Sequence, residues 1–198
     1  MTAIYLASRS PRRRELLAQI RVPHDVLVLA ATDVDEPRLP GEAPSVYVRR
    51  TAREKAERGL VTIRKRGLSP RPILAADTTV ILGDDVLGKP ADREEAEAIL
   101  QRLSGTRHEV HTALVLADLA GTLYEDVSIT VVHFRALTAR DIQRYCDSNE
   151  PYDKAGAYGI QGLAGMFVER IEGSYTGVMG LPVFETARLL GRIGIVLP

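Results

Sequence analysis

Two long runs of alternating polar and apolar character, residues 108–118 and 122–135, are separated by a short break containing Ala120-Gly121. Alternation with period two puts apolar side chains on one face of a strand, and a glycine-containing break between two such runs is a hairpin signal. Strands joined this way pair antiparallel. The rest of the chain follows another rhythm. Ala3-Ile4-Tyr5-Leu6-Ala7 is a short buried-type strand, stopped by Ser8-Arg9-Ser10-Pro11 and followed by Leu16, Leu17 and Ile20 at helical spacing. Strand–helix units around a central hairpin require a mixed sheet, so the expected class is α/β.

The remaining elements fit that frame. Ser10 suits a helix N-cap and Pro11 its first position, where a missing amide hydrogen costs nothing. Residues 25–31 read as a second strand ending in the acidic turn Asp33-Val34-Asp35-Glu36-Pro37. A long charged helix is predicted over 44–66, ended by Pro70 and Pro72, then an apolar strand over 73–82 interrupted by Asp77-Thr78-Thr79. Val86-Leu87 can return as a short strand before Gly88-Lys89-Pro90. Asp92 caps a helix reaching about 103, and Thr138 caps another, with Asp141 placed for a capping box. A glycine-rich stretch over 154–165 precedes a strand over 166–171, and a last helix covers 183–192.

Composition removes several function classes. The chain has 198 residues, 45% of them hydrophobic, enough for one substantial core. Lys+Arg and Asp+Glu are both 26, whereas a nucleic-acid binder held by counterion release normally carries surplus basic charge. The expectation is therefore no nucleic-acid partner, with the Arg49–Arg66 basic stretch as the sole support for one and internal ion pairs as its simpler explanation. One cysteine, Cys146, excludes an internal disulfide framework. No apolar run reaches membrane-spanning length and no signal-peptide pattern opens the chain, so no membrane partner and a cytoplasmic location are expected.

Several residues could carry chemistry. Arg12 and Arg13 stand in the first turn of a helix, where the macrodipole disfavours positive charge. Either they grip an anion beside the free helix amides, or they point into water at a cost of ~0.3 kcal/mol or somewhat more. Asp77 lies inside an apolar strand and needs a cation or donors to stay ionised. It is an acid–base or metal-linked candidate, or a structural aspartate satisfied by backbone amides. Lys55, Lys89 and Lys154 are isolated lysines near breaks or charged turns, Lys89 being fixed between Gly88 and Pro90. Gln161, in the glycine-rich loop, offers a donor and an acceptor suited to a base edge. His108 and His111 have the wrong spacing for zinc, because residues three apart on a strand face opposite sides.

Taken together, the motifs resemble the Maf family of nucleotide pyrophosphatases, almost end to end. The residues carrying the resemblance are L-A-S-R-S-P-R-R-R-E-L-L at 6–17, A-R-E-K-A at 52–56, A-A-D-T at 75–78 and G-K-P at 88–90. R-L-S-G follows at 102–105, then E-P-Y-D-K-A-G-A-Y-G-I-Q-G at 150–162 and G-S-Y…V-M-G-L-P at 173–182. The resemblance implies a single Maf-like domain over 1–198, of α/β class, with a mixed twisted sheet flanked by helices in the Maf/ITPase-like manner. It implies hydrolysis of the bond between the α- and β-phosphates of a nucleoside triphosphate, with a divalent cation, Mg2+ or Mn2+, and a homodimer.

By the same resemblance Asp77 is the proton acceptor that activates water, and Arg12, Arg13, Lys55 and Lys89 are cationic site positions. Ser8 and Ser10 match the phosphate-side turn, and Glu36 an acidic position tied to the metal. Arg12, Thr78 and Gln161 match the branch acting on dTTP and UTP, whereas the 7-methyl-GTP branch carries a different, often aromatic, residue in place of Arg12. Thr79, usually apolar in relatives, and the flanks of the 33–36 turn depart from the pattern. Two competing readings remain: 7-methyl-GTP hydrolysis, and a non-catalytic regulator of septum formation, which would not require a water-activating carboxylate at Asp77.

Overall fold

A computed structural model describes residues 3–29 and 37–197 of the chain. Its centre is a seven-stranded mixed sheet. The strands are β1 (Ile4–Leu6), β2 (His24–Val26), β3 (Ile73–Leu82), β4 (Asp85–Leu87), β5 (Arg107–Ala117), β6 (Leu123–Phe134) and β7 (Val168–Glu172). Their order is β2-β1-β3-β5-β6-β7, with β4 also paired to β3. β1 runs parallel to β2 and β3, and every other pairing is antiparallel. The hairpin is the β5–β6 pair, in continuous register from Arg107↔His133 to Ala117↔Leu123.

β3 organises both faces. Its residues alternate, so Ile73 and Ala75 meet the helix α2 (Pro44–Arg66), while Leu74 and Ala76 meet α1 (Pro11–Gln19) and α6 (Val183–Arg192). α2 turns Val48, Ala52, Ala56 and Ile63 to the sheet at helical spacing, with Gly59 allowing Ile73 to lie against its backbone. Further along, Val80 joins a third cluster with α3 (Arg93–Leu103), α4 (Ala139–Cys146) and the rings of Phe134, Tyr145, Tyr158 and Phe167. Cys146 is buried there as a small core residue, and among the described residues no helix is long and apolar enough to cross a membrane.

The neighbours of β3 change partway along it. On one edge it pairs with β5 from Ile73 to Ile81 without interruption. On the other it pairs with β1 only at Ile73 and Leu74, and with β4 only from Val80. β1 ends early because Ser8–Ser10 turns the chain into α1, so residues 75–79 of β3 have no strand on that side. The sheet has a gap there, and Asp77 is its midpoint.

The caps agree with the sequence expectations. Ser10 Oγ accepts the Arg13 amide at 3.5 Å, Asp92 caps α3, and the Thr138–Asp141 capping box is complete. Three elements differ. β2 stops at Val26 instead of running over 25–31, because it is an edge strand whose one neighbour has ended by Leu6. Residues 30–36 of that expected strand and turn lie outside the described residues. The last strand starts at Val168, since Leu163–Phe167 coils into a 3-10 turn that buries Phe167. A short helix, α5 (Tyr175–Met179), capped by Ser174, fills a stretch with no apolar periodicity to announce it.

Two positions carry measurable consequences. Gly156 has φ 70°, and a Cβ there would stand 2.9 Å from both Val80 methyls. Gly156→Ala is expected to cost about 2 kcal/mol in urea unfolding at unchanged m-value, from strain and overpacking together. A midpoint equal to that of the parent protein would show that Val80 gives way freely.

His108 is buried, with its Nε2 2.8 Å from the Tyr158 hydroxyl. Burial, reinforced by the nearby His133, pulls its imidazole down to about 4. The unfolded chain takes up this proton near the ordinary histidine value, and the folded chain resists until about pH 4. Stability from this site is therefore present above the ordinary value and lost as pH falls towards 4. His108→Gln should flatten the slope of unfolding free energy against pH in that window. An unchanged slope would remove His108 as the cause.

Candidate active site

The gap beside β3 opens into a cleft of about 710 Å³. It is lined by the turn after β1, the start of α1, Lys55 of α2, Asp77 to Val80 of β3, Gly88-Lys89 after β4, the 153–161 segment and the end of α5. Chain segments far apart in sequence meet there because each ends at, or crosses, the interrupted edge of β3.

Asp77 faces α2. Its Oδ1 pairs with Lys55 Nζ, and its Oδ2 accepts a hydrogen bond from Thr51 Oγ1 at 2.8 Å. Thr51 and Lys55 are four residues apart, hence on one face of α2. Both carboxylate oxygens are thus positioned from a single rigid helix, and each keeps a lone pair for another donor. The ion pair largely offsets the cost of keeping a carboxylate in a mostly buried place.

Arg13 faces the opposite side of the gap. Its Nε donates to Gly180 O at 2.7 Å, Nη1 to Ala76 O at 2.8 Å and Ser8 Oγ at 3.1 Å, and Nη2 to Thr78 Oγ1 at 3.1 Å. The Ala76 carbonyl is one that a strand would have satisfied had the sheet continued. Burial pulls this guanidinium below its usual value, with the Asp77 charge opposing and the Arg12 charge adding to the effect. Most of its donors are committed within the protein, so Arg13 holds the site walls together.

One result is the polarity of Ser8. Its hydroxyl oxygen accepts from the Ser10 amide at 3.2 Å and from Arg13 Nη1. With both lone pairs occupied, what Ser8 can offer the cleft is its proton, the polarity an anion needs. Ser10 lines the cleft as the cap of α1.

Arg12 projects from the first turn of α1 towards the cleft mouth, where its Nη1 lies 3.3 Å from Asp153 Oδ2. Asp153 also pairs with Lys154. Burial works to raise the Asp153 carboxyl, but Lys154 and Arg12 outweigh it and hold it below the usual value. Lys89 is exposed at the rim, with no carboxylate partner among the described residues. Its loop is tied to the glycine-rich segment by the Gly156 amide donating to Gly88 O at 3.0 Å. Gln161 is exposed on the same wall.

The structure therefore brings Ser8, Ser10, Arg12, Arg13, Lys55, Asp77, Thr78, Lys89 and Gln161 to one cleft. Glu36 lies outside the described residues. Thr51, Asp153 and Gly180 were not singled out from the sequence. Thr51 had a signal, its i,i+4 spacing to Lys55; Asp153 and Gly180 stand inside the 150–162 and 173–182 motifs, and the fold alone shows that their partners are Arg12 and Arg13. Lys154 turns its ammonium to the Glu150 carbonyl and Asp153, and His108 and His111 point to opposite faces of β5.

A sequence model of the family described as "Maf-like protein" matches residues 3–193. The chain belongs to the Maf family. Among relatives of this Maf protein, a protein of Bordetella avium named dTTP/UTP pyrophosphatase is 63% identical over 196 residues, covering 98% of this chain and 97% of its own. A protein of the same name in Dechloromonas aromatica is 51% identical, covering 96% and 97%. A solved HAM1 protein from Coxiella burnetii aligns over 97% of this Maf chain and all of its own with a TM-score of 0.50. At 15% identity that likeness concerns the fold alone.

The Arg13 geometry makes a prediction. Lys cannot reproduce a planar fork that reaches four acceptors on three segments. Arg13→Lys should lower stability by about 2 kcal/mol and cut activity on any substrate of the cleft at least tenfold. Arg12→Lys should leave stability within about 0.5 kcal/mol, as surface pairs contribute little. Equal stability losses in the two variants would contradict this division of roles.

Proposed function

We propose that this protein hydrolyses dTTP and UTP to the nucleoside monophosphate and pyrophosphate. The observation that carries the reading is Asp77: a carboxylate held on both oxygens from α2, inside a cleft whose other lining includes Arg12, Arg13, Lys55, Lys89 and Ser8, with Asp153 paired to Arg12 at its mouth. A polyphosphate requires such a rim, and the relatives' names supply the nucleotide.

In this reading Asp77 takes a proton from the attacking water on a free lone pair. Lys55 and Thr51 keep the carboxylate oriented as that proton arrives. Arg12 and Lys89 meet the phosphate chain, Arg12 by exchanging Asp153 for a phosphate oxygen, and Ser8 donates its hydroxyl proton. Gln161 presents a donor and an acceptor together, matching the imide edge shared by thymine and uracil.

Among the described residues no group of three or more His, Cys, Asp or Glu side chains could hold a metal ion. A small hard cation does not need such a cage, since it keeps several waters and binds through one or two carboxylates plus substrate phosphates. Glu36 is our proposed carboxylate for it. When bound, Mg2+ or Mn2+ would offset charge on the phosphates. We further propose that residues 1–198 act as one domain, in the cytoplasm, as a homodimer.

The test is a panel of nucleoside triphosphates, including 7-methyl-GTP, with Mg2+ or Mn2+ and product identification. Monophosphate and pyrophosphate from dTTP and UTP are expected. Preference for 7-methyl-GTP would overturn the branch, and inertness to all would overturn catalysis. Asp77→Asn should abolish turnover while nucleotide binding persists, and full activity in that variant would refute the base.

A further inference from the structure

Thr78 stands on the face of β3 opposite Asp77, and its hydroxyl belongs to a chain of hydrogen bonds whose direction can be worked out. Thr112 of β5 lies beside it in register and is fully buried. Thr112 Oγ1 donates to Gly177 O at 2.8 Å, which uses its one proton. The Thr78–Thr112 hydroxyl contact of 3.0 Å must then be donated by Thr78. Arg13 Nη2 donates to Thr78 Oγ1 at 3.1 Å, taking one lone pair. Thr78 is left with a single lone pair and no free proton.

We propose that Thr112 fixes the polarity of the Thr78 hydroxyl so that it meets a nucleotide only as a hydrogen-bond acceptor, selecting a nucleoside N–H or O–H donor over a phosphate oxygen. This inference rests on the cleft being a nucleotide site. Ser8, saturated on its lone pairs, is the complementary donor for phosphate. Arg13 donates to both hydroxyls, and their opposite roles come from the second partner: the Ser10 amide donates to Ser8, whereas Thr112 accepts from Thr78. Space over Thr78 is kept by Gly180, where a Cβ would stand 3.3 Å from Oγ1 and where φ of 110° disfavours any side chain. The donors common to dTTP and UTP are the imide N3–H of the base and the 3′-hydroxyl of the sugar. Thr112 is thus a positioning residue that acts through Thr78.

The experiment compares kcat/KM for dTTP, its N3-methyl analogue and its 3′-deoxy analogue in the parent protein, Thr78→Val, Thr112→Val and Thr112→Ser. The parent protein should penalise at least tenfold the analogue that lacks the donor Thr78 receives, which separates base from sugar. That penalty should fall below about threefold in Thr78→Val and in Thr112→Val, and persist in Thr112→Ser, which keeps the hydroxyl. If it collapses in Thr78→Val but survives in Thr112→Val, the relay through Thr112 is wrong. An equal loss on all three substrates in Thr78→Val would make Thr78 a phosphate donor and overturn the polarity. If Thr112→Val does not fold, the parent and Thr78→Val still decide that point. Inertness of the parent protein towards dTTP itself would sink the nucleotide reading instead.

Discussion

The gap in the sheet beside β3 is the constraint on which the rest of the site depends. A strand deprived of one neighbour has backbone groups that must find other partners or remain unsatisfied. Here the Arg13 guanidinium takes the Ala76 carbonyl, and in the same plane collects Ser8, Thr78 and the Gly180 carbonyl. One side chain thus replaces a missing piece of ladder and joins α1, β3 and the end of α5. The cleft exists because β1 stops early, and it keeps its shape because Arg13 braces the walls.

The two faces of β3 then do different work. Asp77 points to α2, where Lys55 and Thr51 hold its oxygens from one helix face. Thr78, one residue later, points the other way into a network of hydroxyls and carbonyls. Period two in a single strand separates a carboxylate suited to proton transfer from a hydroxyl suited to recognition. Arg12, although adjacent to Arg13, shares none of that network. It lies at the mouth on an exposed carboxylate, a pairing that a polyphosphate can replace at little cost.

Much of this was legible without coordinates. The hairpin over β5 and β6, the helix from Pro44 to Arg66 and the caps at Ser10, Asp92 and Thr138 follow from periodicity and local hydrogen bonding, which act over a few residues. The candidate residues Ser8, Arg12, Arg13, Lys55, Asp77, Thr78, Lys89 and Gln161 could be named because their motifs are contiguous and resemble a family. Residue identity around Asp77 already required a cation or donors for a carboxylate in an apolar strand.

Only the tertiary structure decided who meets whom. Electrostatics at a helix start treats Arg12 and Arg13 alike, and the fold separates them, since just one faces the interrupted edge of β3. The pairings of Asp153 and Gly180 have no local signal, because their partners lie 141 and 167 residues away along the chain. The direction of the Thr78 hydroxyl is likewise set by Thr112 and Gly177, which no spacing rule connects. Local propensities and patterns determined which elements form and which residues could do chemistry. Packing determined where a strand lacks a neighbour, because a gap is a property of the assembled sheet and of no segment in it.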